Sequence, residues 1–385
     1  MKQTPTRLLT ATKVLYFLYY AAGAALLPFL PLYYRSLGFG GDRIGLLTSI
    51  SPLISLFGAP LVGGIADATQ RHKRVLLTSL VGAGTAVIIL SQTRAFWAIA
   101  LIVAVYAFFN SPVMPLIDNA VMTLLDERRD RYGSLRIWGA VGWGVVAPIV
   151  GSLSDRYGLI WPFIGFAILV VMEGVVVSRI PFKSGVDQVS YWSGVRKLLS
   201  NRGWMLFLAT VFLNGVAQSG VMNYLFLYMD DLQASQTVMG VALTVATVSE
   251  LPVLATSGRM LRRWGARGLL ILSLVIYIVR TLSYSLIRAP WQVLVIQLLH
   301  GLSFSSMWVA GVAYAADAAP EGLGATAQSS FSATLMGLGG MVGALINGFI
   351  IERWGGAMMF RLNSLFAMLG LILFVIGTGL QADRT

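Results

Sequence analysis

Stretches of about 20 apolar residues recur along the whole chain, separated by short polar breaks. A stretch of that length crosses the ~30 Å hydrocarbon core of a bilayer as one α-helix. Twelve windows are predicted, at 14–34, 44–66, 75–92, 96–123, 137–154, 159–180, 204–229, 237–258, 268–287, 291–315, 326–350 and 357–379. The runs are continuous and lack strict alternation, which argues against a β-barrel. Composition agrees. Of 385 residues only 11% are charged and 57% are hydrophobic, where a soluble domain carries roughly 25% charged residues. The predicted fold class is therefore an all-α integral membrane protein with twelve transmembrane helices in two six-helix pseudo-repeats.

Two internal matches support the duplication. Gly151-Ser-Leu-Ser-Asp155-Arg156-Tyr157-Gly158 and Gly348-Phe-Ile-Ile-Glu352-Arg353-Trp354-Gly355 share the pattern G-x-x-x-acid-Arg-aromatic-Gly. Gly64 and Gly258 each precede a basic loop. Six helices per repeat is an even number, so the halves should run parallel. The expected organisation is an N-terminal half over 1–180, a cytoplasmic central loop over 181–203 and a C-terminal half over 204–385. Glycines crowd the fifth window (Gly139, Gly142, Gly144, Gly151) and the eleventh (Gly337, Gly339, Gly340, Gly343, Gly348). Small residues let membrane helices approach closely.

The net charge of +12 falls mainly at one set of window ends. Arg71, Lys73 and Arg74, then Arg128, Arg129 and Arg131, then Lys183, Arg196, Lys197 and Arg202, then Arg259, Arg262, Arg263 and Arg267 occupy the even-numbered connections. The positive-inside rule makes these cytoplasmic, with both termini, in the cell (inner or plasma) membrane. The polar start Met1–Lys13 leads into an apolar stretch without an A-x-A-like cleavage site, so it reads as a retained first span. No aromatic-interleaved basic patch points to nucleic acid. With no cysteine, thiolate and zinc–thiolate chemistry is excluded. No P-loop, nucleophile elbow or HExxH occurs. No enzyme activity, cofactor or metal is expected. The expected partners are a small-molecule substrate, protons and membrane lipid, and the expected state is a monomer.

Five ionisable residues interrupt the apolar windows: Asp118, Arg136, Glu250, Arg280 and His300. A charge in hydrocarbon costs at least ~2.5–3.5 kcal/mol and is functional by default. Pro112 and Pro115 open the helix ahead of Asp118. Arg136, Gly139, Ala140 and Trp143 fall on one helical face. Arginine grips hydroxyl pairs or carboxylates through its planar fork, and an indole stacks on rings. The competing reading of Asp118 with Arg136 is a permanent ion pair that staples two helices. Glu250 precedes Pro252, and Arg280 and His300 are its possible neighbours. Histidine can pass a proton near neutral pH, although a lone buried histidine is often structural. Tyr16, Tyr20 and Gly23 share one face of the first window, and Asn214 and Gln218 lie one turn apart in the seventh. These are further lining candidates, with ordinary helix–helix hydrogen bonding as the alternative. His72 is expected in a solvated loop. Glu173 and Arg361 are expected near the membrane surfaces, with Glu173 lacking an assigned role.

The loop Gly63-Gly-Ile-Ala-Asp67-Ala-Thr-Gln70-Arg71-His-Lys73-Arg74 resembles the signature between helices two and three of the major facilitator superfamily, with Gln70 where a glycine is usual. That resemblance implies a conformational latch built from Asp67, Arg71 and Arg74. Within the superfamily the chain resembles the lactose permease and phenylpropionate permease branch of proton symporters. The resemblance rests on Pro28-Phe-Leu-Pro31, on Pro115 followed by Asp118, and on Arg136 followed by Trp143 in R-x-x-G-x-V-G-W. It rests also on Glu250, and on Arg280 twenty residues before His300. It implies substrate binding by Asp118, Arg136, Trp143, Glu250 and His300, with Tyr20, Asn214 and Gln218 nearby. Proton coupling would fall to Asp118, Glu250, His300 or Arg280. The chain departs from lactose permease at Ser303, where that permease carries its coupling glutamate; the phenylpropionate-like relatives lack that glutamate too. The expected function is secondary active transport of a small polar organic solute by proton-coupled alternating access, a sugar or glycoside being favoured. The alternatives are a small aromatic carboxylate or nucleoside, an uncoupled uniporter, or a lipid-moving or sensor protein.

Overall fold

Hydrocarbon offers the backbone no hydrogen-bond partners, so a membrane-embedded segment must satisfy its own N–H and C=O groups. The computed structural model describes residues 6–125, 132–180, 198, 201–319 and 323–382, and its regular elements are all helical. The N-terminal half comprises α1 (Thr6–Leu26), a 3₁₀ turn (Leu27–Phe29), α2 (Leu30–Ser36), α3 (Gly41–Thr69), α4 (His72–Gln92), α5 (Phe96–Asn110), α6 (Val113–Leu125), α7 (Tyr132–Tyr157) and α8 (Trp161–Arg179). There follow α9 (Arg202–Asp231), α10 (Gln236–Tyr284), α11 (Trp291–Gln297), a π-helical turn (Gly301–Ser305), α12 (Ser306–Ala318), α13 (Gly324–Ser332), a second π-helical turn (Ala333–Leu338) and α14 (Gly339–Ala382). Most of the predicted central loop, and Arg128, Arg129 and Arg131, lie outside the described residues.

Among the described residues, ten helical segments are long and apolar enough to cross a membrane. Two of them run to 49 and 52 residues, which at 1.5 Å per residue is more than 70 Å, or roughly twice the bilayer core. Both are broken by a glycine in the left-handed region. Gly265 has φ 66° and ψ 173°, and Gly355 has φ 75° and ψ 171°. Only glycine enters that region without steric cost. The predicted fourth window is interrupted at Pro112, where α5 ends and α6 begins. Proline supplies no N–H there to extend the helix. The first helix starts at Thr6, earlier than its apolar window, and Lys13 lies 5.7 Å from the Trp138 ring.

The chain forms two units. One comprises Met1–Gly38, Ile50–Asp187 and Ser235–Thr244; the other comprises Phe39–Ser49, Gln188–Ala234 and Val245–Thr385. In the first, α1 packs on α7 and α8, and α4 on α5 and α8. A Cβ on Gly142 would strike the Phe17 carbonyl, and one on Gly139 the Tyr20 ring. In the second, α9 packs on α14 with the same economy: Gly339 meets Gly215, and Gly343 meets the Val216 backbone. Lipid supplies no hydrophobic drive between helices, so close backbone packing does that work. The second unit also holds an aromatic core around Trp204, Phe207 and Phe331.

Candidate functional site

In the first unit, α1, α6 and α7 bring five polar side chains together. Tyr16 donates its hydroxyl to Asp118 Oδ1 at 2.7 Å. Arg136 Nη1 lies 3.6 Å from Asp118 Oδ2 and donates to the Tyr132 hydroxyl at 2.6 Å. Its Nη2 donates to the Tyr20 hydroxyl at 3.2 Å. The Asp118 and Arg136 side chains remain 28% and 39% exposed. Tyr16 is fully buried and anchors the carboxylate from behind. The Trp143 ring abuts Gly23, where an added Cβ would sit 3.1 Å from ring carbon Cζ3. Gly23 therefore leaves the room that Trp143 fills.

The second unit carries a separate pair. His300 Nε2 is 3.1 Å from Glu250 Oε1, and Ser305 donates to Glu250 Oε2 at 3.0 Å. His300 Nδ1 is buried without a hydrogen-bond partner. A protonated ring would strand a buried N–H there, so a neutral ring donating from Nε2 fits best. The ring stacks on Phe304 at 5.3 Å. Arg280 was a possible neighbour of this pair, yet its hydrogen bonds go to neutral groups. They reach Gln297 Oε1 at 2.6 Å, the Ser303 hydroxyl at 3.2 Å and the Tyr284 hydroxyl at 3.2 Å. Arg280 is fully buried. Ser303, where the resemblance leads one to seek a glutamate, is thus a ligand of the guanidinium. Asn214 and Gln218 are buried in α9, with Asn214 Oδ1 and Gln218 Nε2 unpaired.

One expectation changes. His72 is buried rather than solvated, and its Nε2 lies 2.8 Å from Asp67 Oδ1. Glu173 is buried within the first unit at 1% exposure, and its Oε1 has no hydrogen-bond partner. At the end of α3, Asp67 pairs with His72, and Lys73 reaches another helix. Lys73 Nζ donates to the Ser178 and Ile180 carbonyls at the end of α8. Arg361 is exposed, as snorkelling requires.

Gln70 occupies the left-handed region at φ 55°, which explains why a glycine is usual at this place. Its side chain offsets part of that strain by donating to the Asp67 carbonyl at 2.7 Å. Gln70→Gly should raise stability by up to about 1 kcal/mol, because left-handed geometry costs a side-chain-bearing residue roughly 1–2 kcal/mol. Thermal unfolding in detergent tests this, and an unchanged or lower midpoint would show that the side-chain bond fully compensates.

Tyr132 and Ser305 escaped the sequence reading. Tyr132 stands four residues before Arg136 on one helix face, a spacing that was available. Ser305 was not accessible to that logic. An α-helix would carry residue 305 about 140° around from residue 300. The π-helical turn over Gly301–Ser305 returns it to the same side.

A bundle of apolar helices with embedded polar clusters is the architecture of a multi-pass membrane protein. Known proteins agree on the family. Residues 9–362 match the MFS_1 like family, and the chain belongs to it, within the major facilitator superfamily of transporters. The maltose permease of Geobacillus stearothermophilus is 27% identical over 369 residues, covering 95% of this chain and 94% of its own. The probable 3-phenylpropionic acid transporter of Escherichia coli (strain K12) is 24% identical, covering 88% and 90%. A crystal structure of the nucleoside transporter NupG superposes with a TM-score of 0.83 at 18% identity, covering 97% of this chain and 99% of that one.

Proposed function

We propose that this chain is a twelve-span secondary active transporter for a small polar organic solute, a sugar or glycoside first, working by proton-coupled alternating access. The span count follows if α10 and the α13–α14 segment each count twice, divided at Gly265 and Gly355. The observation that carries the solute reading is the cluster of Asp118, Arg136, Tyr20 and Tyr132. A carboxylate and a guanidinium, both partly exposed, offer acceptors and donors in the combination that neighbouring hydroxyls need. Trp143 adds a flat apolar face for a ring. The name of the maltose permease relative supports the same class. Asp118, Glu250 and His300 are the proton-carrying candidates, since each combines a titratable group with at least partial burial. Loop residues Asp67, Arg71 and Arg74 act with His72 and Lys73 in the cytoplasmic latch.

A second reading is a small aromatic carboxylate, in which the solute competes with Asp118 for Arg136. The phenylpropionic acid relative favours it. A thermal-shift screen of maltose and related sugars, uridine and 3-phenylpropionate separates the two, because binding raises stability by mass action. The proposal expects a sugar to raise the midpoint. A shift with 3-phenylpropionate alone would move the assignment to the carboxylate. Trp143→Ala should weaken the responding ligand roughly two- to tenfold, the worth of one aromatic contact of ~0.5–1.5 kcal/mol, and Trp143→Phe should keep most of it. Equal affinity in both would remove the stacking role.

A further inference from the structure

We propose that Glu173 is a proton-binding site of the first unit, separate from the Asp118 cluster and occupied in the conformer described here. Glu173 lies on α8, on the stripe that Phe163, Phe166, Val170 and Val177 turn inward. Those positions recur at three and four residues, which buries one face of the helix. The stripe is apolar except at Glu173, which is as buried as its neighbours. The helix packs on α1 and α4. Val170 lies against Gly84, where an added Cβ would sit 3.6 Å from its Cγ1. The Phe166 ring meets the Tyr106 ring edge-on, with centroids 5.9 Å apart.

Packing alone does not require an acid here, because a leucine or methionine would fill a similar space. An ionised carboxylate without a partner is expensive to bury, and such a group takes a proton instead. Glu173 meets that condition. Its Oε1 is buried without a hydrogen-bond partner. Among the described residues, no arginine, lysine or histidine acts on it, and neither α4 nor α7 brings it a charge. The titratable groups around it are phenols, Tyr19 from α1 and Tyr106 from α5. Arg136, the guanidinium of the neighbouring polar cluster, is already engaged by Asp118, Tyr132 and Tyr20.

Tyr19 stands between the two acids. Its hydroxyl is within electrostatic reach of Glu173, Tyr106, Tyr20 and Asp118, and its ring is edge-on to Tyr20 at 5.3 Å. The Tyr20 hydroxyl in turn accepts from Arg136 at 3.2 Å. A proton on Glu173 therefore leaves the negative charge of this region on Asp118, where Arg136 meets it. Loss of that proton would add a second negative charge with no cation opposite. Release therefore requires water or a cation to reach the buried face of α8. Glu173 is six residues, about 9 Å, from the end of that helix at Arg179. The site fills without solute or gradient, so it stands independently of the substrate assignment.

Infrared spectroscopy of the full chain in detergent tests this, because a protonated carboxyl shows a carbonyl stretch that an ionised one lacks. At neutral pH the parent should show the band of a buried acid. Glu173→Gln should lose that band, while Asp118→Asn and Glu250→Gln should keep it. Isotope labelling of the glutamate carboxyls in the parent should shift the band and labelling of the aspartate carboxyls should not, an arm that needs no variant to fold. Unfolding in weakly buffered detergent at neutral pH should release one proton more per chain from the parent than from Glu173→Gln. Identical neutral-pH spectra of the parent and Glu173→Gln would overturn the proposal, as would a band that glutamate labelling leaves in place. A band that appears only after sodium is removed would also overturn it, since the carboxyl would then be an ionised cation ligand. Failure of every solute to accumulate would remove the transport reading and leave these spectra unchanged.

Discussion

Asp118→Asn should abolish uphill solute uptake while leaving the protein folded. Asparagine keeps an acceptor for the Tyr16 hydroxyl, which now donates at 2.7 Å, so the local packing survives. It cannot carry a proton on and off, and it leaves Arg136 without its counter-charge at 3.6 Å. Removing one partner of a buried hydrogen-bonded charge pair costs about 2–5 kcal/mol in binding. The exposure of both side chains places this pair at the lower end, near 2 kcal/mol, or roughly a 30-fold loss of affinity. Asp118→Glu should restore coupling in part. Arg136→Lys should not rescue binding, because one ammonium cannot span Tyr20, Tyr132 and Asp118 as the two guanidinium nitrogens do. Counterflow, which needs binding and exchange without net proton movement, separates the two losses. Full accumulation by Asp118→Asn would remove Asp118 from the coupling role.

Gly301→Val carries the largest expected cost in stability. A Cβ at residue 301 would collide with the carbonyl of Ser249, with its carbonyl carbon at 2.6 Å and the Glu250 nitrogen at 2.9 Å. These are backbone atoms of α10 and cannot rotate aside. Overpacking of this kind costs typically 1–3 kcal/mol. It would also break the bond from the Gly301 N–H to the Ser249 hydroxyl at 2.9 Å. Because the collision lies beside His300, the substitution should separate His300 from Glu250 as well. Gly301→Ala should show a smaller form of both effects. Thermal unfolding in detergent, with solute affinity measured in parallel, checks this. A wild-type midpoint in Gly301→Val would mean that α10 and the π-helical turn part easily.

Much of the framework was legible because its causes are local. Apolar length gave the helices, Pro112 gave the break ahead of Asp118, and the duplicated glycines marked α7 and α14 as closely packed helices, without their partners. The pairing of Asp118 with Arg136 was legible from cost alone, since charges in hydrocarbon seek one another. What escaped depends on three-dimensional placement. A π-helical turn moves Ser305 onto Glu250, against the spacing of an ordinary helix. Arg280 resolves its charge through Gln297, Tyr284 and Ser303, a solution that no charge count suggests. His72 turns inward to Asp67 because the loop bends at Gln70. Asp155 and Glu352 read as a repeat marker in the sequence, and only the fold shows that their carboxylates accept from the first-turn N–H groups of α10 and α3.

The central claim is tested most directly by solute accumulation in proteoliposomes under an imposed proton gradient. One proton moved through 100 mV supplies ~2.3 kcal/mol, enough for roughly 50-fold accumulation. The account predicts that the solute identified by thermal shift accumulates above its bath concentration, and that a protonophore collapses the accumulation. It predicts that Asp118→Asn vesicles do not accumulate it at all. Accumulation that persists undiminished once the proton gradient is gone, or in the Asp118→Asn protein, would contradict it.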